Sequence, residues 1–467
     1  MISAAHKCTP SRAGNPSLRG WVVVLACLLL SACASVYKPH NEPLAKVDPA
    51  HGYRAFTVHR SGAKEHLVAL SFSGGGTRAA ALSYGVMQEL RDTQIRSGKQ
   101  RVRLLDEVDT ISAVSGGSFT AAYYGLFGDK LFTRFEGEFL RRSVQGALIR
   151  QMLDPVYWWR SLFTGFDRTE MAIEYYDSTL FRGKKFRDIP LTKRPFIEIN
   201  ATNLKSGQRF SFTQSMFDLL CSDVGDFSVA RAVTASSAVP VAFPTVVLEN
   251  YAPRCDLSAR SDLQRLLQQS SWNPQEKQQV ERYEDVYLQA DENPWLHLVD
   301  GGISDNLGLR AILERVDAIG GIQQSMALLD APQKDVLILL VNAAVKPNRT
   351  MAQSANKPSI SATIDAFTDS QMQLYTAETR RLIQERITDY ERELQANGQR
   401  IKFYFVEVSF ESIRTRSLKN LLNALPTSLE LSNQQVDLLI RAGRRLLREN
   451  PVFQQYLDAN RGVLREQ

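Results

Sequence analysis

Short apolar runs alternate with amphipathic stretches through the middle of this chain, as in strands that are each followed by a helix. Leu67–Phe72, LVALSF, is almost continuously apolar and predicts a buried strand. Leu82, Val86 and Leu90 then fall on one face of a helix. Val108–Val114 is rich in β-formers, and the small residues from Ser118 to Ala122 open a second helix. Phe196–Thr202 and Gln208–Thr213 predict a hairpin turned at Lys205-Ser206-Gly207. Leu296–Val299 and the apolar Val336–Val341 read as further strands.

Beyond Lys346 the pattern changes. Pro347–Lys357 reads as a loop. Ile364–Leu394 predicts a long helix, with Ile383, Ile387, Tyr390 and Leu394 at helical spacing and Asn397-Gly398 as its stop. Ile401–Phe410 alternates as a strand does. A last helix starts near Ser432, with Gln435 completing a capping box, and runs to Asn450-Pro451. Two stretches are less regular. Met152–Phe166 holds Tyr157, Trp158, Trp159, Leu162, Phe163 and Phe166. Such residues suit a lid or a membrane interface, and core packing is the favoured expectation. Asp256–Asn293 is polar and mostly helical in character, a surface insertion that could cover a site.

The N-terminus carries Lys7, Arg12 and Arg19 without an acid, then the apolar run Trp21–Leu30, too short to span a bilayer comfortably. It ends in Leu30-Ser31-Ala32-Cys33, which resembles the lipobox of bacterial lipoproteins. That resemblance implies cleavage after residue 32, acylation of Cys33 and a firm lipid anchor. Ala34 stands where an aspartate would signal inner-membrane retention, so the expected place is the bacterial cell envelope at the outer membrane. A plain secretory signal or an uncleaved anchor is the alternative. Residues 33–64 read as a tether, 65–346 as the main domain and 347–467 as a mainly helical C-terminal extension.

Composition narrows the picture only a little. The three basic residues of the signal leave with it, which halves the formal charge of +6. No Lys/Arg tract interleaved with aromatics speaks for nucleic acid. Of five cysteines, Cys8 and Cys27 lie in the signal and Cys33 is the lipidation candidate. Cys221 and Cys255 remain, and export permits a disulfide between them, although sequence does not give their geometry. No Cys/His cluster has metal-ligand spacing, so neither metal nor cofactor is expected.

The candidate chemistry lies at the ends of the first strands. Ser73-Gly74-Gly75-Gly76-Thr77-Arg78 is a glycine-rich turn opening a helix, a cradle for an anion. It lacks the Gly-Lys-Ser/Thr ending of a P-loop. As an oxyanion hole, Gly74, Gly75 and Gly76 would donate N–H groups, and Arg78 could add charge or brace the loop. Ser115, between Val108–Val114 and Gly116-Gly117, has the strand–serine–helix setting of a nucleophile elbow. Ala113 stands two before it, where glycine is usual. The same residues also suit an ordinary Gly-Gly loop. For the general base, no histidine follows His297. Asp300, at a strand end before Gly301-Gly302, is the preferred base, with His297 the alternative.

SGGGTR at 73–78, AVSGG at 113–117, ASSAVPVAFP at 235–244 and DGG at 300–302 occur in the order seen in patatin-like phospholipases, which this chain resembles over roughly residues 67–345. The resemblance implies a three-layer α/β/α sandwich with a mainly parallel central sheet. It also implies a lipid acyl hydrolase using a Ser-Asp dyad, with Ser115 as nucleophile, Asp300 as base, the glycine loop as oxyanion hole and no metal. A phospholipid or other acyl ester is then the expected substrate. An acyltransferase, a non-lipid esterase or a non-catalytic lipid-binding lipoprotein are the alternatives.

Overall fold

A computed structural model describes residues 39–464, apart from 56–64, 193–194, 241, 270, 272–273, 330–332, 346–352 and 354. The lipidation candidate Cys33 and the signal lie outside the described residues.

Eight strands form one central sheet: β1 His66–Phe72, β2 Val108–Val114, β3 Phe196–Asn203, β4 Arg209–Ser211, β5 Val246–Glu249, β6 Trp295–Asp300, β7 Asp335–Asn342 and β8 Lys402–Ser409. Their order is β8-β7-β1-β2-β3-β6-β5, with β4 on β3. The run from β8 to β3 is parallel, while β6 and β5 run antiparallel to their neighbours. Alternation along the buried strands sends side chains to two separate cores. Leu337, Leu339 and Val341 of β7 join the larger core, and Val336, Ile338 and Leu340 join the smaller one.

Helices cover both faces. On the larger core lie α1 Gly76–Asp92 and α2 Gly116–Phe127. The chain then runs through α3 Val144–Met152, α4 Pro155–Thr164, α5 Arg168–Tyr176 and α6 Val229–Ser236. The smaller core is closed by α7 Leu309–Ile319 and the long α8 Ile360–Ala396. The last long helix, α9 Asn433–Arg448, begins at the Ser432–Gln435 capping box.

Three expectations change here. The stretch expected as a C-terminal extension also completes the main sheet, because β8 pairs with β7 in parallel over eight residues. Its helix α9 crosses α1 at two glycines. A Cβ on Gly85 would stand 2.3 Å from Ile440 O, and one on Gly443 2.5 Å from Leu82 O. Behind that close crossing, Arg444 and Arg448 pair with the fully buried Glu89.

Residues 39–55, expected as part of a tether, are strapped to the body. Val47 and Tyr53 are buried, Arg54 forms a buried ion pair with Asp218 at 2.8 Å, and the Asn41 amide donates to Glu249 O. Two apolar anchors and a desolvated, hydrogen-bonded pair hold this polar stretch down. A disulfide between Cys221 and Cys255 lies beside this strap, where Leu44 N–H donates to Cys221 O.

Most of Met152–Phe166 stays out of the core, which takes Phe166 and the partly buried Met152 and Tyr157. Helix α4 buries none of its residues, and of the aromatic run only Phe166 is buried. The polar stretch 256–293 packs beside α7 and the β3–β4 hairpin. There Arg282 pairs with Glu314, and Asp285 takes Lys205 and Asn203.

Candidate active site

The carboxyl ends of the parallel strands β1 and β2 lie side by side, and the antiparallel β6 ends beside them because Asp300 pairs with Ala201, next to Asn200, the partner of Val114. Ser115 stands at the tip of β2 with φ +48°, in a region that side chains rarely occupy. The turn is possible because its neighbours lack side chains. A Cβ on Gly116 would lie 2.0 Å from Gly76 O, and one on Gly117 2.7 Å from Phe72 Cβ. Ala113, the departure from the usual glycine, is fully buried and accommodated.

Asp300 ends β6. Its Oδ2 accepts the Ser115 hydroxyl at 2.8 Å, and its Oδ1 accepts Gly302 N–H at 2.7 Å. Gly301 is needed there because a Cβ would come within 2.2 Å of Asn200 O. Burial pushes the Asp300 carboxyl up to about 6, although the bonds from Gly302 and Ser115 favour its charged form. A carboxylate with that value exchanges protons near neutrality, as a general base must.

His297 lies on the same strand three residues earlier. Strand alternation turns it to the opposite face from Asp300. It is exposed there, with Nδ1 3.1 Å from the Thr245 hydroxyl. The structure does not bring it to Ser115.

The glycine loop divides its labour. Gly74 N–H donates to Asn306 O at 3.0 Å, so that amide is occupied. The role left to Gly74 is steric, because a Cβ there would strike Asn306 Oδ1 at 2.5 Å and crowd Ser115 Cβ at 3.3 Å. Among the described residues, nothing accepts from the N–H groups of Gly75 and Gly76. The Gly76 nitrogen lies 2.6 Å from where a Cβ on Gly116 would be, directly against the nucleophile turn. These two amides are left open beside Ser115.

Arg78 takes the bracing role of the two left open. Its buried guanidinium donates to Ala343 O at 2.9 Å and Leu425 O at 2.7 Å. Burial lowers it to about 10, which leaves it charged at neutral pH. The C-terminal stretch presses on the same loop through Ser428 O, which accepts Thr77 N–H at 2.9 Å. Helix α8 approaches from the other side, with Met372 Sδ 3.4 Å from the position of a Cβ on Gly302.

Two residues gain roles that sequence did not assign. Asn306 touches both Gly74 and Gly302 from one side chain. Ser236 ties the Ser115 turn to the Asp300–Gly301 strand end. Its hydroxyl accepts Ser115 N–H at 2.8 Å and donates to Asn200 O at 2.6 Å, and its carbonyl accepts Gly301 N–H at 3.1 Å. The run ASSAVPVAFP holds this serine, but the distant partners of its hydroxyl leave no periodic trace. Ser236→Ala removes the acceptor for a strained turn. Catalytic turnover should fall roughly 10–100-fold with KM little changed, since a buried N–H left unmade costs about 1–3 kcal/mol. Unchanged kcat in steady-state kinetics would remove Ser236 from the positioning machinery.

The family model described as Patatin-like phospholipase matches residues 70–313. Similar solved structures include human GIVD cytosolic phospholipase A2, 14% identical over 58% of this chain and 45% of that one, with a TM-score of 0.32. The same human enzyme in complex with methyl gamma-linolenyl fluorophosphonate and terbium chloride is 13% identical over 85% of this chain and 59% of that one, with a TM-score of 0.39. VipD from Legionella pneumophila is 9% identical over 92% of this chain and 73% of that one, with a TM-score of 0.32. The chain thus spans less than two thirds of the human phospholipase chains. A comparison with curated proteins gives no match.

Proposed function

The chain belongs to the patatin-like phospholipase family, and on that premise we propose that it hydrolyses carboxylic esters of lipids through Ser115 and Asp300. The observation that carries this reading is the 2.8 Å bond from the Ser115 hydroxyl, held on a left-handed turn, to a buried carboxylate. In the scheme, Asp300 takes the hydroxyl proton as Ser115 Oγ attacks the ester carbonyl carbon. The amides of Gly75 and Gly76 hold the oxyanion. The carbon–oxygen bond to the leaving alcohol breaks, and Asp300 returns the proton to that alcohol. Water then gives a proton to Asp300 and its hydroxide to the acyl-enzyme, and Ser115 recovers its proton as the fatty acid leaves.

A fluorophosphonate probe tests this reading. It phosphonylates an activated serine with loss of fluoride, so peptide mass analysis should find the adduct on Ser115 and on no residue of the Ser115→Ala chain. An unlabelled wild-type Ser115 under conditions that label a control serine hydrolase would contradict the proposal.

The reading extends to location. Cys33 is the proposed acylation site, anchoring the body at the outer membrane. Cys33→Ser should move the protein out of the membrane fraction and leave its signal unprocessed. Retention with normal processing would exclude a lipoprotein.

A further inference from the structure

Helix α4 is well formed, yet none of its residues is fully buried, and of its aromatics Tyr157 alone packs against the core. Asp154 caps its start by accepting Val156 N–H at 2.8 Å, Pro155 occupies its first turn, and Gly165 ends it in the left-handed conformation. Arg160 ties it to the body by pairing with Glu174 and by lying 3.6 Å over the Phe166 ring. Leu153, Val156, Trp158, Trp159, Leu162 and Phe163 all project into solvent, each at least 48% exposed. Trp159 and Phe163 pack against each other one turn apart, with tilted rings and centroids 4.3 Å apart. Large apolar residues gathered on the uncovered face of one ordered helix mark an interaction surface.

Three observations indicate what that surface meets. Its residues are those of a helix lying in a membrane interface, with Trp, Phe and Leu outward and arginine at the margin. At the rim Arg150 is exposed, while Arg160 is neutralised by Glu174 and the Asp154 carboxylate is turned to the helix cap. An exposed arginine at the rim favours an anionic surface.

Second, the patch leads to the site. Just past α4, the Thr169 hydroxyl donates to Pro244 O at 2.8 Å. Pro244 closes the loop that begins at Ala238, whose carbonyl accepts Asp300 N–H at 2.9 Å, and Val239 in that loop is 43% exposed.

Third, the described chain begins beside β5, the strand that follows the Pro244 loop. Asn41 is fixed to Glu249 at the far end of β5, the strand that starts two residues after Pro244. Cys33 lies six residues before Pro39, a span of at most about 20 Å.

We propose that the outward face of α4 docks on the surface of an anionic phospholipid bilayer and brings the Ser115 end of the sheet to the lipid. The docking rests on the acyl-hydrolase reading only for the identity of the substrate.

The test uses the full chain, so the N-terminal segment is common to every variant. Trp158→Ser/Trp159→Ser/Phe163→Ser is compared with wild type on phosphatidylethanolamine–phosphatidylglycerol vesicles and on a soluble short-chain ester. Vesicle hydrolysis should fall about tenfold or more, because three apolar side chains no longer enter the interface. The kcat/KM on the soluble ester should stay within about twofold. In a Ser115→Ala background, brominated phospholipid should quench the tryptophan fluorescence, and the triple substitution should remove most of that quenching. Quenching and vesicle hydrolysis both unchanged would overturn the docking. So would a triple variant that turns a dimer into a monomer while lipid quenching persists, which would make the patch a surface for a second copy. If no form cleaves any ester, the hydrolase reading fails, and the quenching arm still decides the docking.

Discussion

Asp300→Asn should lower kcat/KM on a soluble ester by about 10²–10⁴-fold, the usual worth of a positioned general base. Asparagine keeps the shape and can still accept Gly302 N–H at Oδ1, where the carboxylate now accepts it at 2.7 Å. It cannot take the Ser115 proton. The pH profile gives the same test a sign. Burial raises the Asp300 carboxyl to about 6, and only its deprotonated form is a base. Wild-type kcat/KM should therefore climb from pH 5 to 7, with a midpoint near that value. The residual activity of the asparagine variant should be flat over the same range. A variant that keeps the ascending limb would place the titrating base elsewhere.

Ser115→Ala should have the larger effect, a loss of about 10⁴-fold or more, since no acyl-enzyme can form without the attacking oxygen. The turn itself should survive. Ser115 N–H still bonds Ser236 Oγ, and Ser118 Oγ still bonds the residue 115 carbonyl at 2.5 Å. The positive φ then sits on alanine as it did on serine, so thermal stability should change little. Hydrolysis measured by titration of released fatty acid checks the loss. Activity persisting at more than about one part in a hundred would mean that another nucleophile is at work.

Much of this arrangement is legible in the sequence, for physical reasons that differ from residue to residue. Val336–Val341 reads as a strand because both of its faces are buried and every position must be apolar. Ser115 and Asp300 can be picked out because a tight strand-to-helix turn and a close approach each need glycines beside a polar residue. What sequence does not carry is the partner across space. The SGGGTR loop reads as three equivalent donors, but Gly74 spends its amide on Asn306, which lies in the chain far from it. Arg78 is at a place for charge or for bracing, and only Ala343 O and Leu425 O decide between them. The alternation of Ile401–Phe410 predicts a strand without saying that it pairs with β7.

Met152–Phe166 misleads for a related reason. Aromatic content alone does not distinguish a core helix from a helix that offers the same residues to a partner. Residues 39–55 mislead in the other direction. Their polar composition conceals Val47, Tyr53 and the Arg54–Asp218 pair, which hold them to the body.

If a serine and an aspartate act here without a histidine, one comparison separates the two candidate bases. The kcat/KM for a short-chain ester is measured for wild type, Asp300→Asn and His297→Ala at pH 7.5. Asp300→Asn should lose about 10²-fold or more, while His297→Ala, whose side chain faces Thr245 on the far side of β6, should stay near wild type. Loss in His297→Ala with Asp300→Asn still active would contradict the account.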